Sequence, residues 1–109
     1  MQIEEHLKIS RLFDLYGKLL SEKQQSVMDK YLNLDIGESE IAEMSGESRQ
    51  SVHDAISKAK KQLILMEEKC GVLKNNTLIE QNLYKLKTLL LKNNNSDAIN
   101  LIDEILKEF

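Results

Sequence analysis

Apolar residues recur along this chain at steps of three and four, with polar residues filling the intervals, and that period predicts helices from end to end. Residues 3–20 read as a first helix, with Ile9, Leu12, Phe13, Leu15, Tyr16, Leu19 and Leu20 as one wide stripe. Ser21 and Gln24 stand at the spacing of a capping box, so a second helix opens there, its inward face Val27, Met28, Tyr31 and Leu32. Asn33 to Gly37 is a short loop. A third helix over 38–45 is too short to survive alone and must be held by Ile41, Ala42 and Met44. Gly46 stands where the chain needs a left-handed residue, and Ser48, with Ser51 three positions on, caps a long fourth helix from Arg49 to Lys69. Its apolar positions, Val52, Ile56, Ala59, Leu63, Met66 and Cys70, alternate steps of four and three, a coiled-coil seam that Gly71 ends. Asn75-Asn76 reads as a polar break, and Thr77 with Glu80 as a capping box for a fifth helix with Ile79, Leu83, Leu86 and Leu90 on one face. Lys92 to Ser96 is a turn, and a last helix from Asp97 carries Ala98, Ile102, Ile105 and Phe109.

The expected fold is all-α, a bundle of about six helices without a wing, ending in a C-terminal helical hairpin. The third and fourth helices with their tight turn have the layout of a helix-turn-helix, a docking device that carries out no chemistry itself. Residues 1–73 are read as the helix-turn-helix domain with its extended fourth helix, and 74–109 as a helical extension suited to dimerisation. The seam of the fourth helix has two readings. It packs inside the monomer against helices one, five and six, or it joins two copies, which would suit paired half-sites on DNA. Apolar residues on further sides of the outer helices (Leu78, Leu89, Leu91, Ile99, Leu101, Leu106) are hard to hide in so small a chain, and this favours a homodimer.

Composition narrows the class. The chain has 109 residues, no Pro, few aromatics and a net charge of −3, which argues against a broad non-specific grip on nucleic acid. One Cys excludes an internal disulfide and suits a reducing compartment. The first ten residues, MQIEEHLKIS, carry acids early and have no long apolar run, so no signal peptide is expected. The runs Leu63–Met66 and Leu89–Leu91 are far too short to span a membrane, and the expected location is cytoplasmic. His6 and His53 have no partners at ligand spacing, so neither metal nor cofactor is expected. No phosphate-binding glycine loop, nucleophile elbow or paired-carboxylate site is present, and the chain does not read as an enzyme. Cys70 completes the seam as a small buried hydrophobe.

Charge is segregated. Residues 35–47 carry five acids and no base, while 48–63 carry Arg49, Lys58, Lys60 and Lys61 against Asp54 alone. The basic stretch is the second helix of the motif, which in a helix-turn-helix enters the major groove by its N-terminal end. Its first two turns present Arg49, Gln50, His53, Asp54 and Ser57. Arg49 suits guanine and Gln50 suits adenine, each through two hydrogen bonds. Lys58, Lys60 and Lys61 lie further along, at phosphate distance. Asp54 and the acids Glu38, Glu40, Glu43 and Glu47 oppose such docking, and the bland reading of all these charges is a solvated helix surface.

Leu20 to Leu63 resembles region 4 of bacterial sigma factors in Leu20-Ser21-Glu22-Lys23-Gln24, Glu40-Ile41-Ala42-Glu43, Gly46, Ser48, Val52 and Lys58 to Lys61. With Leu12-Phe13-Asp14-Leu15-Tyr16 before it and Ser48-Arg49-Gln50-Ser51-Val52-His53-Asp54-Ala55-Ile56 after, residues 1–73 are similar to the YlxM family, with the tail after Asn75 outside the match. Those are small bacterial helix-turn-helix proteins whose genes neighbour those of the signal recognition particle GTPases. The chain departs from the pattern at Glu47, where relatives place an apolar residue, at Gly37 in place of a capping Ser or Asp, and at His53 in place of Tyr.

The resemblance implies a helix-turn-helix DNA-binding regulatory protein linked to the signal recognition particle pathway. Its alternative is a protein- or RNA-interaction module that modulates the signal recognition particle without specific DNA binding. The first reading assigns nucleic-acid binding to Arg49, Gln50, His53, Ser57, Lys58, Lys60 and Lys61; the acidic balance and Asp54 favour the second.

Overall fold

The computed structural model describes residues 3–109, which hold six α-helices and no strand: α1 (Ile3–Tyr16), α2 (Glu22–Met28), α3 (Glu38–Ser45), α4 (Arg49–Cys70), α5 (Val72–Leu91) and α6 (Asn95–Leu106). They form two units, residues 1–73 and 74–109.

In the first unit α4 is the central rod, and α1, α2 and α3 each lie against it. Val52, Ile56, Ala59 and Leu63 are buried there among Ile9, Leu12, Val27, Met28 and Ile41. The front of the seam is thus spent inside the monomer, on helices one, two and three. A buried Leu or Ile contributes about 1.5–3 kcal/mol relative to exposure, so this cluster dominates the stability of the unit. The seam then fades: Met66 is half-buried and Cys70 is exposed, not the core residue its spacing predicts, because α4 has run past its neighbours.

The first helix is shorter than its apolar stripe. It ends at Tyr16 and tightens into a 3₁₀ turn over Gly17–Leu19. A Cβ at Gly17 would stand 2.9 Å from the Phe13 ring, so a larger residue there would force that ring to move. The change of pitch turns Leu19 out to solvent and tucks Leu20 in. Ser21 then caps α2 in a full capping box: its Oγ accepts from the Gln24 amide at 3.2 Å, and Gln24 Oε1 accepts from the Ser21 amide at 3.1 Å. Gln24 is the one buried polar residue among those described. Its side-chain amide also donates to Gln62 Oε1 at 2.8 Å, so a local cap doubles as a tether from α2 to α4. Beyond Met28 the helix widens into a π turn over Asp29–Asn33, where Leu32 stays buried and Tyr31 is half-buried beside the edge of the His6 ring.

The second unit is a hairpin of α5 and α6. Asn75-Asn76 does not break α5, and no capping box opens at Thr77. The helix runs unbroken from Val72, because Asn costs only tenths of a kcal/mol in a helix and no Gly or Pro interrupts it. The turn is narrower than its Asn run suggests. Asn93 takes a left-handed conformation (φ 57°) and Asn94 caps α6, its side chain accepting from the Asp97 amide at 3.3 Å. No described helix is long and apolar enough to cross a membrane.

Candidate nucleic-acid interface

The docking end of α4 is assembled by a short helix that cannot stand alone. Gly37 supplies no side chain to cap α3, which is held instead by burial of Ile41 and Ala42. Met44, expected to help, is exposed. At the C-terminus Ser45 Oγ donates to the Ile41 carbonyl at 2.9 Å. Gly46 adopts φ 71°, and the Glu47 amide returns to the Ala42 carbonyl at 3.1 Å. This left-handed cap reverses the chain in three residues, and a Cβ at Gly46 would be strained there. Ser48 then accepts from the Ser51 amide at 3.0 Å and starts α4.

The two helices so joined expose Arg49, Gln50 and His53 together on the first turns of α4. Two of the three are already engaged by carboxylates. His53 Nδ1 lies 3.0 Å from Glu38 Oε1 and 3.1 Å from Oε2. An ionised carboxylate only accepts, so Nδ1 carries the hydrogen in this contact and Nε2 takes no part in it. The Gln50 amide donates to Asp54 Oδ1 at 2.9 Å, one helical turn on. Among the described residues no hydrogen bond or ion pair holds the Arg49 guanidinium. The acids of this face are thereby partly spent: Glu38 on His53, Asp54 on Gln50, and Glu47 on Lys23 at 2.7 Å. The Glu47–Lys23 ion pair joins the turn to α2 at the exposed surface.

The lysines do not form one row. Lys61 is exposed and shares the outward side of α4 with Gln50 and half-buried Ser57. Lys60 is half-buried on one flank, its ammonium 5.0 Å from the centroid of the Tyr31 ring, a cation–π contact that commits it to the fold. Lys58 lies on the other flank, in an open groove of about 760 Å³ between the start of α2 and α4, where Leu19 and Ala55 stand beside Lys23, Gln24, Asp54 and Lys58. Lys23 is the residue sequence reading missed. It lies on another helix, yet its ammonium donates to Ser51 Oγ at 3.4 Å and adds a cation at the mouth of this groove. Its position just after the Ser21 cap was the available signal.

A three-helix core ending in a short helix, a left-handed turn and a serine-capped helix with exposed leading side chains defines a helix-turn-helix protein. Residues 3–105 match a family described as "Putative helix-turn-helix protein, YlxM / p13 like". The chain belongs to this family, and the match continues through the tail, so the C-terminal helices, expected to lie outside it, are part of the family's extent. Among its relatives are UPF0122 proteins of three clostridia. That of Clostridium kluyveri is 41% identical over 73% of this chain and 72% of its own. That of Clostridium novyi is 37% identical over 94% and 93%, and that of Clostridium acetobutylicum 38% identical over 97% and 95%. No solved structure gives a significant match.

Proposed function

We propose that this protein is a DNA-binding regulatory protein that reads base edges with the leading turns of α4. The observation that carries the reading is the joint exposure of Arg49, Gln50 and His53 on a helix aimed by a left-handed turn and a serine cap. Arg49 is the residue for guanine, Gln50 for adenine once it leaves Asp54, and His53 offers Nε2. Lys61 and Lys58 are the residues for phosphate in this reading, with Ser57 between them, Lys60 in support, and Lys23 joining them only on leaving Glu47. The gene neighbourhood implied by the resemblance links such a regulator to the signal recognition particle pathway.

The test is selection from a random duplex pool, followed by fluorescence anisotropy on the selected site across a salt series. The expected result is a defined site, with affinity falling steeply as salt rises. No enrichment and no binding at low salt overturn the reading.

One observation favours a second reading. Glu38 holds His53 Nδ1 and Asp54 holds Gln50 Nε2, as carboxylates of a surface not meant for phosphate would. In that reading α4 docks on protein or RNA of the signal recognition particle. Capture from lysate with and without nuclease separates the two. Retention of the targeting GTPase after both DNase and RNase supports the protein partner, loss with RNase alone supports the particle's RNA, and loss with DNase alone supports the first reading.

A further inference from the structure

We infer that the C-terminal hairpin is a dimerisation module, closed into a four-helix bundle by the same hairpin of a second copy, with α5 of each copy lying on α6 of the other. The inference does not rest on what α4 docks on.

The hairpin is too small to hide its own apolar surface. Units below about 40 residues need a metal, disulfides or oligomerisation to stand. In residues 74–109 only Ala98 is buried, while Ile79, Leu83 and Leu90 of α5 and Ile99, Ile102 and Leu106 of α6 are 40–61% exposed. These six are not scattered. At 100° per residue, Leu86 and Leu89 of α5 and Ala98, Leu101 and Ile105 of α6 point between the two helices. Ile79, Leu83 and Leu90 then fall on one flank of α5. In an antiparallel pair, Ile99, Ile102 and Leu106 fall on the same flank of the hairpin. Leu90 stands level with Ile99, Leu83 near Ile102 and Ile79 near Leu106, so the residues make one continuous apolar strip. At roughly 100 Å² each, with the charged rims beside them, they approach the ~800 Å² per partner of a standard interface.

Charge chooses the occupant. Helix α5 carries Lys74, Lys85 and Lys87 against Glu80, and α6 carries Asp97, Asp103 and Glu104 with no base. The unit as a whole is neutral, with five acids and five bases. Such a face is complementary to itself. A two-fold axis along the bundle stacks each basic α5 on an acidic α6 with every neighbouring pair antiparallel, the arrangement of an up-down bundle. It also sets Lys87 of one copy and Asp103 of the other on the same rim of the strip, about one helical turn apart in height.

The test is sedimentation of the full chain, free of nucleic acid, in reducing buffer so that exposed Cys70 forms no cross-link. The expected species is a dimer of the 12.6 kDa chain. Leu83→Glu should yield a monomer that keeps its helical circular dichroism. Lys87→Asp should raise the dimer dissociation constant about tenfold, and Asp103→Lys in the same chain should restore it. A wild-type monomer at every concentration, or a dimer unmoved by Leu83→Glu, overturns the inference. If Leu83→Glu unfolds the chain, the charge pair decides: Lys87→Asp without effect, or without rescue by Asp103→Lys, overturns the α5-on-α6 pairing. Because no nucleic acid is present, failure here is distinct from failure of DNA binding.

Discussion

His53 and Glu38, fifteen residues apart, meet at 3.0 Å across the turn that joins α3 to α4. The contact ties the start of the supporting helix to the second turn of the docking helix and sets a carboxylate beside the residues offered to DNA. In Glu38→Gln that negative charge is gone while the shape is kept. Duplex affinity at low salt should rise by threefold to tenfold, the effect of about 1 kcal/mol of Coulomb repulsion near a surface. Anisotropy at two salt concentrations checks this, and the gain should shrink at the higher one.

Arg49 and Lys61 should fail differently when removed. Arg49→Ala should cost about 1–3 kcal/mol on the preferred site and relax the choice of base at one position. Lys61→Ala should weaken all duplexes alike and lower the salt slope by about one. Lys61 is a cleaner probe than Lys60, whose loss also removes the contact with Tyr31. A binding matrix of the two variants against single-base changes in the site distinguishes them.

Ser48 is the only side chain that caps α4, through its bond from the Ser51 amide. Ser48→Ala should lower stability by about 1 kcal/mol, read as a shift of the urea midpoint at unchanged slope, with Ser48→Asp retaining most of it.

Tyr16 links three elements. Its hydroxyl donates to Glu67 Oε1 at 2.8 Å and accepts from the Val72 amide at 3.1 Å. Burial first, then the bond to Glu67, raises its pKa above the ordinary value of about 10. A group whose folded pKa is raised stabilises fully below its unfolded pKa and loses that contribution as pH climbs through the folded one. Stability should therefore hold to about pH 10 and fall beyond it, and Tyr16→Phe should flatten this fall. At neutral pH the same change should also lower stability, since the Val72 amide loses its partner. Urea unfolding from pH 8 to 11 measures both.

Much of the first unit was written locally. Ser21 with Gln24, Gly46, Ser48 with Ser51, and Gly71 are caps made between residues a few positions apart, and each stands where the chain alone places it. The period of Val52, Ile56, Ala59 and Leu63 likewise marks the buried side of α4 without reference to its neighbours. The leading face of that helix follows by rotation, which is why Arg49, Gln50 and His53 could be named from sequence.

What tertiary structure decided is where that local logic is overruled by distant partners. The start of α5 has no Ser, Thr or Asn cap; its first amides are taken by Tyr16 and Glu67, so the helix begins at Val72 and runs through the Asn pair. Glu38 reaches His53 and Lys60 turns to Tyr31, so the charges counted as one basic helix divide among separate tasks. Periodicity encodes which side of a helix is apolar, because that depends on rotation about one axis. Which side chains then meet depends on how several axes cross, and no spacing along the chain carries that information.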